Sequence, residues 1–382
     1  LLFLFRKIVP LFPVQVNPDS LSDDFKIISQ PMSAPLISGI QQVGVGVQNV
    51  PEAWQWYRRV LGFDVPVFDD KAEAPLMTPY TGGVVQKRHA VLALNMAGGG
   101  GLEIWSFTSR VSQPASFKME LGDLGINAIR FKAPDVKKAH EWVKSQSKEA
   151  VGPLVALPEG EGFWGNDPYG NIYQITSDTA WFQKTGKPVG GVAGVVVGVS
   201  DINKSLLFYT NLLDPMEMVY DKTGVFDDLP TSIPGQRFRR VLLRKKFTPT
   251  GAFSKLLGNI QIELIQALDR TPKKLFENRY WGDCGFIHLC FDALDLDTLK
   301  TKIQSKGYPF TVDSEKSFGM ESAAGRFAYV EDPDGTLIEL VETHKLPILK
   351  KIGWFLDIQK RKHQKPLPDW MLKTMSLNRV KD

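Results

Sequence analysis

Four stretches of this 382-residue chain repeat one plan, and a repeat of this kind fixes architecture before any single motif can. Each opens on an alternating strand: residues 39–47 (GIQQVGVGV), 126–133 (INAIRFKA), 192–199 (VAGVVVGV) and 285–293 (GFIHLCFDA). Asn49, Asp135, Asp201 or Asp295 comes next, where an N-cap should start a helix. The helices carry apolar stripes at helical spacing, Trp54, Tyr57 and Leu61 in the first repeat and Leu206, Tyr209 and Leu213 in the third. Further strands follow, the last being 101–105 (GLEIW), 172–175 (IYQI), 260–265 (IQIELI) and 337–341 (LIELV). Two of these come after the same turn, 167–170 (DPYG) and 332–335 (DPDG), in which Pro sets φ and Gly takes the positive φ of a tight turn. Repeats one and three resemble each other, as do two and four, so the pattern predicts an α+β chain of four βαβββ modules.

Composition narrows what those modules can serve. With 43% hydrophobic and 23% charged residues the chain has an ordinary globular balance. No stretch approaches the ~18 apolar residues of a membrane-spanning helix; the smoothest, 190–199, is about half that and broken by glycines. The net charge of +4 is uneven: residues 345–382 carry +7 and the remainder −3. A near-neutral body argues against a phosphate-tracking surface, so no nucleic-acid partner is expected. Cys284 and Cys290 sit in one predicted strand, roughly 20 Å apart at the usual rise, too far for a disulfide, and point to a reducing cytoplasm. The first methionine is Met32, and residues 1–36 read as an N-terminal arm or an over-extended start.

Strand alternation sorts side chains by face. Val43, Val45 and Val47 share the face a helix would cover, leaving Gln42, Gly44 and Gly46 on the other. His288 likewise stands opposite Ile287, Leu289 and Phe291, and Glu103, Glu263 and Glu339 stand opposite their Leu and Ile neighbours.

Residues 45–50 (VGVQNV) leading into 56–63 (WYRRVLGF), together with 332–339 (DPDGTLIE), resemble the vicinal oxygen chelate superfamily, which includes glyoxalase I, bleomycin-resistance proteins and extradiol dioxygenases. The resemblance covers about residues 37–344. It implies a first domain at 37–183 (modules one and two) and a second at 189–344 (modules three and four), with modules paired into open barrels whose concave face holds a divalent metal. The family's first ligand position, seven residues before the cap, here holds Gln42, Ala128, Gly194 and His288; its closing-strand position holds Glu103, Gln174, Glu263 and Glu339. Four-module glyoxalase I-like proteins imply one live set, Gln42, Glu103, His288 and Glu339, and one degenerate set in modules two and three. That live set requires module one to pack against module four; the rival packing, one with two and three with four, would separate Gln42 and Glu103 from His288.

By the same resemblance Glu339 is the catalytic base and Glu103 the second catalytic carboxylate, around one Zn, Ni, Mn, Fe or Mg ion. The implied function is proton-transfer isomerase or lyase chemistry on a small carbonyl or thioester substrate. The alternatives are a bleomycin-resistance-like binding protein without catalysis, and a ring-cleaving dioxygenase, which Gly194 disfavours because it stands where that group has a His ligand.

Other features have plainer readings. Residues 98–101 (GGGG) precede a strand and read as a hairpin turn. Arg237, Arg239, Arg240, Arg244, Lys245 and Lys246 read either as a grip for an anionic substrate or as charges protecting an edge strand; Glu263 is as ready to face solvent as to be buried. In the basic tail, 345–382, Ile348, Leu349, Ile352, Phe355 and Leu356 predict an amphipathic helix. Its two uses are contact with a membrane surface and packing on its own domain, and the turn signal at Pro366 and Pro368 favours packing.

Overall fold

The computed structural model describes residues 35–381 apart from 214, 316–317, 321–322, 350–352 and 359–364. The stretch read as an N-terminal arm lies, through residue 34, outside the described residues.

All four modules form. Module one is β1 (Ile37–Gly46), α1 (Val50–Trp56) continued by a π-helical turn, β2 (Val65–Glu73), β3 (Lys87–Leu94) and β4 (Gly101–Phe107). Module two is β5 (Gly125–Ala133), α2 (Val136–Gln146), β6 (Val151–Leu157), β7 (Gly160–Asn166) and β8 (Ile172–Ser177). Module three is β9 (Val192–Gly198), α3 (Ile202–Leu213), β10 (Glu217–Gly224), β11 (Phe238–Lys245), the one-turn α4 (Ser254–Leu257) and β12 (Ile260–Ala267). Module four is β13 (Gly285–Ala293), α5 (Leu296–Gln304), β14 (Val312–Asp313), β15 (Phe318–Met320), β16 (Ala323–Glu331) and β17 (Leu337–Leu349). The expected caps are in place: Asn49, Asp135 and Asp295 accept from the backbone N–H three residues on.

Sheet order shows how the modules pair. One sheet runs β14-β16-β17-β13-β1-β4-β3-β2 and joins modules four and one; the other runs β10-β11-β12-β9-β5-β8-β7-β6 and joins modules three and two. Each sheet therefore takes one module from segment 37–183 and one from segment 189–344. The seam of each sheet is antiparallel, β1 with β13 and β5 with β9.

Helix contacts cross the other way. The Tyr57 hydroxyl donates to Asp167 of the DPYG turn, and Tyr209 donates to Asp332 of the DPDG turn at 3.2 Å. Trp142 on α2 donates to the Val60 carbonyl at 2.9 Å. Modules one and two, and three and four, are thus tied on the helical side while the sheets tie one to four and two to three. Val43, Val45 and Val47 lie in the main apolar core with Leu289, Phe291, Val195 and Val197, so the helix-facing sides of both sheets share it. The 98–101 turn does join β3 to β4, and Gly100 also exchanges backbone hydrogen bonds with Val192 of module three.

The tail departs from the expected amphipathic helix. Residues Leu337–Leu349 are one long strand, and β18 (Trp354–Asp357) pairs back on it. Alternation explains the misreading, because a short apolar run fits strand and helix spacing alike. The C-terminus itself is helical: α6 (Asp369–Lys373) and a 3-10 turn, Thr374–Asn378. Leu367, Leu372 and Met375 pack with Met96, Leu256 and Leu257, and Lys255 pairs with Asp369 at 2.7 Å. Removing residues 366–382 should lower the melting temperature and promote aggregation, because it bares that apolar patch; light scattering during a thermal ramp reads both. Among the described residues no helix is long and apolar enough to cross a membrane.

Near the tail, Asp292 is buried against Ser38, whose hydroxyl donates to it. Burial pushes its carboxyl up to about 7, with Glu342 adding and the Ser38 hydrogen bond opposing. A folded-state pKa raised above the unfolded one favours the protonated acid, so this contribution to stability is present below the unfolded pKa and fades as pH rises through 7. The Asp292→Asn variant should match the parent in melting temperature near pH 4 and exceed it at pH 8.

Candidate metal centre

Four adjacent strands, β17, β13, β1 and β4, each send one polar side chain to the concave face of the first sheet. Register aligns them. Gly44 stands opposite both His288 and Glu103, while Cys290, two residues beyond His288, stands opposite Gln42 and Glu339. Gly44 is required there because a Cβ would lie 2.5 Å from His288 Cε1. His288 Nε2 is 3.0 Å from Glu339 Oε2 and 3.4 Å from Glu103 Oε2, and Gln42 Nε2 donates to Glu339 Oε2 at 3.4 Å. One donor atom from each of Glu103, His288 and Glu339 lies within 4.8 Å of the others, a group that could hold a metal ion. All four side chains are buried, His288 completely.

The donors fit a divalent ion. Gln42 Oε1 and both ring nitrogens of His288 are buried without a hydrogen-bond partner. Nε2 therefore meets two carboxylate oxygens at short range without hydrogen-bond alignment, as ligands do around a shared cation. Two carboxylates, one imidazole and one amide oxygen suit a hard or borderline ion. Burial works to lower the His288 pKa, but the Glu339 and Glu103 carboxylates outweigh it and push it up to about 10. Burial works to raise Glu103, yet His288 and then Arg88 hold it below the usual carboxylate range. Any ion bound here displaces the His288 proton.

Sequence reasoning missed what surrounds the centre. Tyr329, on β16 opposite Glu339, packs edge-on against the His288 ring with centroids 5.7 Å apart. Trp105 could have been found, since it lies two residues beyond Glu103 on the same strand face. Trp281 comes from a connection with no periodic signal.

The concave face of the second sheet is different. Ala128, Gln174 and Gly194 occupy the equivalent positions, and Glu263 is buried rather than solvent-facing. Its carboxylate accepts from Arg130 Nη1 at 2.8 Å, Arg240 Nε at 2.7 Å and the Tyr220 hydroxyl at 2.8 Å. Arg130 also pairs with Glu159, and Arg240 Nη1 with Asp228 at 2.8 Å. Burial works to raise Glu263, but Arg240 and Arg130 hold it below the usual range. A fixed pair of guanidinium groups thus occupies the neighbourhood of Glu263.

The basic cluster of module three does not guard a sheet edge. Strand β11 lies between β10 and β12, and Arg237, Arg239 and Lys246 pair with Asp269, Asp221 and Glu217. Lys245 donates to the Ile37 carbonyl at 3.2 Å.

The chain thus pairs βαβββ modules so that one concave sheet carries a buried Glu-His-Glu group that could hold a metal ion. A family model for the Glyoxalase/Bleomycin resistance protein/Dioxygenase superfamily matches residues 39–175 and 191–340, and the chain belongs to that superfamily. Over 148 residues it is 27% identical to the "Probable lactoylglutathione lyase" of Synechocystis sp., covering 39% of this chain and 92% of that protein. Glyoxalase I from Zea mays aligns at 14% identity and a TM-score of 0.49, covering 80% of this chain and 92% of that one. A "putative dioxygenase" from Bacillus subtilis subsp. subtilis str. 168 aligns at 15% identity and a TM-score of 0.51, covering 81% and 86%, a likeness of fold alone.

Proposed function

We propose that this chain is a glyoxalase I-like enzyme that uses one divalent ion in proton-transfer isomerase or lyase chemistry on a small carbonyl or thioester substrate. The observation that carries this reading is the meeting of Gln42 and Glu103 from module one with His288 and Glu339 from module four. Gln42, Glu103, His288 and Glu339 are the ligands. The ion, when bound, supplies Lewis-acid polarisation of a carbonyl oxygen. Glu339 is the base for the proton beside that carbonyl; the Gln42 amide donates to its carboxylate. Glu103, which approaches the same His288 Nε2 at 3.4 Å, is the second carboxylate, and Glu339 returns the proton it took. Burial of all four groups keeps competing water from the reacting atoms. The free thiols of Cys284 and Cys290 fit a reducing compartment such as the cytoplasm.

Ring cleavage at a two-His, one-carboxylate iron site would need a second imidazole, and among the described residues the group contains His288 alone. The proposal is tested by incubating the metal-loaded protein in D2O with small α-hydroxy ketones and thioesters and following the α-proton by NMR. Loss of that signal only with metal-loaded protein is expected. Metal-loaded protein that exchanges no member of the panel contradicts the reading in favour of a binding role.

A further inference from the structure

Two connections of equivalent place in the repeat meet each other: residues 108–124 join β4 to β5, and 268–284 join β12 to β13. Backbone hydrogen bonds tie them. The Leu124 N–H donates to the Lys273 carbonyl at 2.8 Å, the Leu275 N–H to the Leu124 carbonyl at 3.0 Å and the Cys284 N–H to the Gln113 carbonyl at 3.0 Å. Between these connections and the 167–170 turn lies a cleft of about 270 Å³. That is close to the ~300 Å³ at which small-molecule sites begin, room for one small ligand. None of Gln42, Glu103, His288 and Glu339 lines it. Phe286 does, and a register shift in the β1–β13 pairing between His288 and Phe286 turns that ring to the helix-side core, so the cleft is not part of the metal centre.

Its walls combine rings with positive charge. Phe117, Tyr169, Phe276 and Phe286 supply the rings, and Lys118 and Arg279 the charge; among the described residues no carboxylate lines the cleft. The Cys284 thiol, also on the wall, is pushed up to about 11 by burial and then by Asp283, so it stays neutral and adds no negative charge. Lys118 is 79% exposed and meets Glu120 only at 3.8 Å, which leaves its ammonium at the mouth.

Arg279 is held in place without being neutralised. Its guanidinium lies over the Phe276 ring, 4.4 Å from the centroid. Nε donates to the Leu275 carbonyl at 3.0 Å, Nη1 to the Gln113 and Cys284 carbonyls at 3.2 and 2.7 Å, and Nη2 to the Leu275 carbonyl. Carbonyl dipoles orient a guanidinium but leave its charge, and four of its five N–H bonds are spent here, leaving one on Nη2. The Asp283 carboxylate acts on Arg279 but is already engaged by Arg110 Nη1 at 2.6 Å and by the Gln113 and Tyr280 backbone N–H groups. Burial outweighs Asp283 and holds Arg279 below its ordinary pKa, as for a cation that lacks an anion of its own.

We propose that this cleft is a binding site for a small aromatic carboxylate, its ring against Phe276, Phe286 and Tyr169 and its charge on Arg279, with Lys118 at the mouth. The site stands independently of the metal centre. A neutral ring gains the wall but leaves the guanidinium uncompensated, and an aliphatic acid meets the guanidinium but gains only area from the rings. The aromatic acid satisfies both.

The probes are benzoate, cyclohexanecarboxylate, which keeps the charge and loses the aromatic ring, and benzyl alcohol, which keeps the ring and loses the charge. Calorimetric titration of the metal-free full chain should show benzoate binding about fivefold more tightly than cyclohexanecarboxylate, the scale of one aromatic pair. It should exceed benzyl alcohol at least tenfold, about the scale of a hydrogen bond to a charged group. Loading with zinc should leave the benzoate affinity unchanged. Ala115→Trp fills the cleft from an irregular connection and should abolish binding, and Arg279→Gln should weaken it about tenfold. Cys284 reports occupancy directly: its alkylation by N-ethylmaleimide, followed by peptide mass, should slow severalfold under saturating benzoate. Should Arg279→Gln fail to fold, Ala115→Trp and the alkylation rate carry the test. The site is overturned if benzoate fails to bind, binds only when zinc is present, binds no better than the other two probes, binds Ala115→Trp at parental affinity, or leaves the alkylation rate of Cys284 unchanged.

Discussion

Glu339→Gln is expected to abolish nearly all turnover. The substitution keeps size and shape but removes the basicity that lifts a proton beside a carbonyl, a contribution of about 10² to 10⁴-fold. It also replaces an anionic ligand with a weaker amide, so metal content should fall together with rate. The geometry leaves little room for compensation. Glu339 Oε2 lies 3.0 Å from His288 Nε2 and accepts the Gln42 amide, whereas Glu103 Oε2 stands farther from the same nitrogen, at 3.4 Å. Turnover at the parental rate by a folded Glu339→Gln variant would remove this residue from the mechanism.

Glu263→Gln should do the opposite: little to any chemistry at the centre and much to the fold. Glu263 sits at the position in the second sheet that Glu103 holds in the first, yet it serves Arg130, Arg240 and Tyr220. Removing one partner from a buried ion network leaves the remaining charges uncompensated, which costs about 3–5 kcal/mol. The effect should appear as a lowered melting temperature and an earlier denaturation midpoint. Glu217→Gln is the control, because its pair with Lys246 is exposed, and such pairs contribute about 0–1 kcal/mol. Equal melting temperatures for the Glu263 and Glu217 variants would show that the network adds no stability.

These two carboxylates show where sequence reading reaches and where it stops. Strand alternation put Glu103, Glu263 and Glu339 on the face away from the core, and that face is where each lies. Alternation says nothing of what waits opposite. Arg130 comes from a strand of another module, and its pairing with Glu263 spans 133 positions of chain. The meeting of Gln42 with Glu339 is more remote still, across 297 positions, and only the family resemblance, not alternation, pointed to it. The tail was misread for a local reason: residues 345–349 pair with 354–357 as strands a few positions apart, and a short apolar run cannot declare its period. Trp281 was invisible because its place is fixed by backbone ties to Tyr80 and by Asp283, neither of which leaves a periodic trace.

The central claim is that modules one and four together build one metal site and that modules two and three build none. Metal analysis of the purified full chain, after incubation with zinc and removal of excess, tests this most directly when run beside His288→Ala and Arg130→Ala. One ion per parental chain is expected, near zero for His288→Ala, and one for whatever folded fraction of Arg130→Ala is recovered. Two ions per parental chain, or an undiminished ion in folded His288→Ala, would contradict it.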